Sequence, residues 1–271
     1  MIVQSGSTSS LSLILTMEQH TATAARLAEH FGDTPLFDRI EPNELVVPLV
    51  KEHDHGWVDI DASAPRDPST DLPWSVYDAP LAHSLEAGVK SIDHNERCHP
   101  YRGLISSMHI CGLHNGRFGM NEAPSLDHLT QGMRQGLEDF LTSEHDRRQR
   151  LISELGADQS LSPWIGDNAL MRVYKALQFF DRLALWLQVA APSARRPTQL
   201  QHIPGSNGAE HTISVSQLDD HRVRLNPYPF DSEPLEIEIH GRAMKPQLAG
   251  TDLAQILNRA EPMSQTVIFV A

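Results

Sequence analysis

The chain has 271 residues, 40% of them hydrophobic and 21% charged, which is the composition of a folded globular protein and excludes a disordered or fibrous one. A formal charge of −13 with only four lysines argues against a broad electrostatic grip on nucleic acid or an anionic membrane, and leaves a small-molecule substrate as the expected partner. Two cysteines, Cys98 and Cys111, are too few for a disulfide framework, no basic residue precedes the apolar LSLILT stretch, and no apolar run is long enough to span a bilayer. A cytoplasmic protein is therefore expected, and oligomeric state stays open.

Two short β-like runs, MIVQ and LSLIL, flank the turn cluster GSTSS at the N-terminus. A helix is expected next: Thr16 and Gln19 spell a capping box, His20, Ala24, Leu27, Ala28 and Phe31 share one face, and Gly32 supplies a stop. His20 thus points with the apolar residues.

A second helix, from Pro42 to His53, carries Leu45, Val46, Leu49, Val50 and His53 on one face, with Pro48 as an expected kink. It ends in KEHDHGWVDID, where His53 and Asp54 stand side by side and Gly56 lets the chain turn away. Residues 61–76, rich in Pro and Asp, read as a loop long enough to cover a site. Helices follow near 79–90, carrying His83, and from Pro100 to Gly112, with His109 among inward positions and Gly112 allowing close approach.

From Leu126 to Leu155 the pattern is helical and charged, and the His145–Asp146 pair within it reads as solvated surface. The stripe Leu170, Val173, Tyr174, Leu177, Asp181, Ala184, Leu185, Gln188 defines a helix over 167–189 with Asp181 in its middle. An ionised carboxylate on such a stripe must be paired, with an arginine such as Arg26 or Arg102, or must bind a metal. Beyond APSARRPT, alternating runs predict a small β-rich annex from 200 to 271. The expected fold is mainly α: a helical core over 1–192 with that annex packed on it.

Three helices thus turn His20, His53 and His109 inward beside Asp54 and Asp181, and a helical bundle can gather such ligands around Zn, Mn or Fe. His55, His94 and His114 read as solvent or outer-shell residues, and Glu52 faces away from His53 by the helical rotation.

The order His20, His53–Asp54 followed by Gly56, His83, His109 and then Asp181 in FFDRLAL resembles the HD-domain superfamily of all-helical, metal-dependent enzymes. The resemblance implies a first metal at His20, His53, Asp54 and Asp181, with Asp54 bridging to a second ion on His83 and His109 and serving the chemistry. QH, HDHGW, SSMH, FDRLAL and NPYPF are more narrowly similar to an uncharacterised bacterial family with an HD-like core, over nearly the whole chain. Trp57 departs from the superfamily: many of its phosphohydrolases and oxygenases carry lysine there to hold an anionic substrate. An aromatic at that position would wall an apolar or ring-shaped ligand, or merely pack.

The resemblance implies one or two divalent ions and most directly a hydrolase of a phosphoester or similar small polar substrate. A di-iron oxygenase and a non-catalytic, metal-stabilised binding protein are the alternatives.

Overall fold

The computed structural model describes residues 1–6, 11–122 and 124–271, and the GSTSS turn falls largely outside them. Two short strands, β1 (Ile2–Val3) and β2 (Ser12–Leu15), precede α1 (Met17–His30) and α2 (Asn43–Glu52). A single turn at His55–Trp57 leads into α3 (Val58–Ser63), followed by a hairpin of β3 (Arg66–Asp67) and β4 (Leu72–Pro73). Then come α4 (Leu81–Cys98), α5 (Pro100–His114), the short α6 (Gly116–Gly119), α7 (Gln131–Gly156) and α8 (Asp167–Gln188). The chain closes with β5 (Thr198–Pro204), β6 (Glu210–Gln217), β7 (Arg222–Asn226), β8 (Leu235–Met244), α9 (Leu253–Arg259) and β9 (Pro262–Val270). No helix among the described residues is long and apolar enough to cross a membrane.

The fold is mixed α/β, which corrects the expectation of a mainly α chain: half of it is helical, but among the described residues all strands except the β3–β4 hairpin join in a seven-stranded sheet of order β1-β2-β8-β9-β7-β6-β5. Every pairing in that sheet is antiparallel except β7 with β9. Nor is the sheet a small C-terminal annex. The N-terminal run SLIL pairs with β8 in the register Ser12↔Met244, because an isolated two-stranded hairpin is marginal in water and its free edge needs a partner. Alternation along a short run specifies a strand but not a partner more than two hundred residues away.

The chain divides into two compact units. The first comprises 1–39, 57–79 and 179–271, and contains the sheet. Along β8, Leu235, Ile237, Ile239 and Gly241 are buried while Glu236, Glu238 and His240 are exposed, the period of two that gives a sheet one dry face. Phe31, Phe37, Phe179 and Phe180 pack edge-on or tilted, with centroids 5.4–5.7 Å apart. The 61–76 stretch belongs here and is pinned, since Arg66 donates to Asp71 and to the carbonyls of Gln247, Leu248 and Thr251.

The second unit, 40–56 and 80–178, is helical and built on α5. Nearly every α5 residue from Tyr101 to Gly112 is buried, with α4 and α7 packed against it. Gly112 does permit close approach: a Cβ there would lie 2.0 Å from Tyr174 Oη. On α7 the buried residues are Leu137, Glu144, Leu151 and Leu155, so the charged run EHDRRQR contributes one carboxyl to the interior while His145 and Asp146 are exposed, as read from the sequence.

Candidate metal centre

In the first unit the capping box is present, with Thr16 Oγ1 accepting from Gln19 N and Gln19 Oε1 from Thr16 N, so the first turn of α1 is fixed one turn ahead of His20. His20 is completely buried. Its Nδ1 lies 2.7 Å from Gln188 Oε1 and its Nε2 lies 3.2 Å from Asp181 Oδ1. Asp181 and Gln188 are seven residues apart on α8 and therefore on the same face.

The hydrogen-bond network fixes the tautomer. Thr23 donates its one hydroxyl proton to the carbonyl of Gln19 and so must accept from Gln188 Nε2 at 2.9 Å. That orients Gln188 with its oxygen toward His20, and Nδ1 carries the proton. His20 Nε2 then turns a lone pair toward a carboxylate oxygen. Two acceptors cannot bond each other, so either the pair shares a proton, on the imidazole or on the carboxyl, or a cation sits with it.

The second unit repeats the arrangement. His53, fully buried, donates Nδ1–H to the carbonyl of Val50 at 2.6 Å and turns Nε2 toward Asp54 Oδ2, 3.5 Å away. His109, also buried, stands edge-on to His53 with ring centroids 5.1 Å apart. Gln178 Nε2 donates to His109 Nδ1 at 2.7 Å, while Gln178 Oε1 has no partner. Turned over, the same amide would accept from Nδ1–H, the Nδ1–H-to-oxygen arrangement of the other two rings.

Imidazoles whose Nδ1–H is tied to an oxygen and whose Nε2 is left to a ligand are the donor chemistry of a divalent transition ion, and the residues present fit one. The arginines offered by the sequence as partners for Asp181 are engaged elsewhere, Arg26 with Glu29 and Arg102 with Asn95. His83 is exposed, in the first turn of α4. Trp57 is buried, at the entry to α3.

Gly56 owes its place to close approach rather than to a turn: a Cβ there would meet the carbonyl oxygen of Ala87 at 1.9 Å, and its amide donates to Ser91 Oγ. Sequence reasoning missed the two amides that hold the imidazoles. Gln178 and Gln188 flank Asp181 at helical spacing, and Gln188 stood in the α8 stripe, a polar side chain whose position was the available signal.

A second group of ligand-capable side chains lies in the same helical unit. Glu52, His55 and His94 have ligand atoms within 4.8 Å of one another. Burial, with the neighbouring His55, Arg102 and Arg97, holds the His94 imidazole below its ordinary value against the pull of Glu52.

With this mixed α/β fold and its buried histidine–carboxylate pairs, the chain belongs to the family of proteins of unknown function DUF3891, whose model matches residues 1–246. Comparison with curated proteins and with solved structures found no match.

Proposed function

We propose that the chain is a metal-dependent enzyme related to the HD-domain superfamily that takes one or two divalent ions (Fe, Mn or Zn), with His20 and Asp181 as candidate ligands in the first unit and His53, Asp54 and His109 as candidate ligands in the second. The observation that carries this reading is the twice-repeated pairing of a buried imidazole, its Nδ1–H tied to an oxygen, with a carboxylate at its Nε2. The reading does not need the exposed His83.

The favoured reaction is hydrolysis of a phosphoester or similar small polar substrate. A bound divalent ion would supply Lewis-acid charge and make water a nucleophile near neutral pH. Asp54, whose side chain is 12% exposed where that of His53 is fully buried, is the carboxylate within reach of incoming water and orients it. Gln188 and Val50 take the Nδ1 protons of their imidazoles and aim the rings, which leaves Nε2 as the nitrogen a ligand role requires. Trp57 replaces the superfamily's lysine, which favours a substrate whose anionic charge is not gripped at that position.

The test is turnover of a phosphoester panel by the protein loaded with Mn or Zn, with and without oxygen. The reading predicts activity that survives anaerobic conditions and is abolished in Asp54→Ala. Inactivity across the panel would sink the hydrolase, and oxygen-dependent turnover with bound iron would replace it with the di-iron oxygenase.

A further inference from the structure

Glu52 closes α2 and His55 lies three residues beyond it, while His94 and Cys98 stand one turn apart on α4. Glu52 Oε2 lies 3.2 Å from His55 Nδ1 and 3.6 Å from His94 Nε2. Cys98 Sγ lies 3.8 Å from the same His94 Nε2, and the two imidazoles stack with centroids 3.6 Å apart and planes 16° from parallel. Behind the cluster, Asn95 donates to the carbonyl of Glu52 and accepts from Arg102, which holds the end of α2 against α4.

Metal bonds of about 2.1 Å to nitrogen and oxygen and about 2.3 Å to sulfur, at tetrahedral angles, put neighbouring ligand atoms about 3.4–3.7 Å apart. Glu52, His55 and His94 lie within 4.8 Å of one another, and Cys98 reaches only the His94 side of the group, so its exposed thiol would close the site by a side-chain rotation. Carboxylate–imidazole pairing alone would call for neither a thiol at the same ring nitrogen nor parallel rings.

We propose that Glu52, His55, His94 and Cys98 form a tetrahedral site for a zinc-type divalent ion, separate from the His20–Asp181 reading and independent of it. A thiolate, two neutral imidazoles and a carboxylate suit a borderline-soft ion, and binding releases the thiol proton to solvent. His55 and His94 have side chains 40% and 23% exposed, so the ion loads from solvent. Four protein ligands leave no open position, as in structural sites, and the ion would clamp the α2 end that carries His53 and Asp54 to α4.

Cobalt titration of the full reduced chain tests this. The proposal predicts a thiolate-to-cobalt charge-transfer band that is lost in Cys98→Ser and kept in both Cys111→Ser and Asp54→Asn. It further predicts at least about tenfold weaker zinc binding in His94→Ala, read by chelator competition. A wild-type protein without the band, a band that survives Cys98→Ser or vanishes with Cys111→Ser or Asp54→Asn, or zinc affinity unmoved by His94→Ala would overturn it.

Discussion

Gln188 decides which nitrogen of His20 is available, because Thr23 has already given its proton to Gln19 and leaves the amide one orientation. Replacing Gln188 with Leu removes that control while keeping the helix stripe apolar. Partners of this kind typically contribute 10–100-fold in metal affinity, and a loss of about that size is expected in metal-binding isotherms of Gln188→Leu; unchanged affinity would show that the amide is only packing.

A second buried residue makes a pH-dependent prediction. Glu144 is pushed above the ordinary carboxylate range by burial, against the pull of Ser107, Arg147 and Arg148, and its Oε2 has no partner. A raised folded-state value means that the folded protein holds this proton longer than the unfolded chain. The stabilisation is therefore fully present below the ordinary carboxyl value of 4.5 and is lost as pH rises through the folded value. Glu144→Gln lacks this loss, and its melting temperature relative to wild type is expected to climb with pH above 4.5. A difference that shrinks over the same window would contradict the sign.

At the scale of elements, α2, its terminal turn and α4 work as one piece. Gly56 has a carbonyl oxygen of α4 where any Cβ would go, and its amide is held by Ser91 from the same helix. Gly56→Ala must push α4 away from the His53–Asp54 turn. We expect a loss of about 2 kcal/mol or more in chemical denaturation, together with weaker metal retention. A variant as stable as wild type would show that the two helices separate freely. Thr16 and Gln19 play the equivalent part for α1, where the capping box was legible because every residue it needs lies within four positions.

Over the whole molecule, what could be read in advance was what is local. Periodicity turned His20, His53, His109 and Asp181 inward, and all four are buried. Helix ends were read to within a few residues for α1, α2, α5 and α8, whereas α4 continues to Cys98, well beyond its predicted end near residue 90. The sheet was not legible as one object. Its order interleaves strands from both ends of the chain, with β2 beside β8 and β7 beside β9, and an alternating run of residues says nothing about which distant edge will accept it. Glu144 escaped notice inside a charged run, although its spacing of seven from both Leu137 and Leu151 placed it on the buried stripe of α7.

Among these expectations the metal is the one on which the function depends, and elemental analysis of the as-isolated protein addresses it most directly. To keep the two candidate sites apart, the measurement belongs in a Cys98→Ser, His94→Ala background, compared with the same chain carrying Asp181→Ala. The account predicts at least one Fe, Mn or Zn ion per chain in the first and its loss in the second. A folded, metal-free protein in which His20 titrates as an imidazolium paired with Asp181 would contradict it.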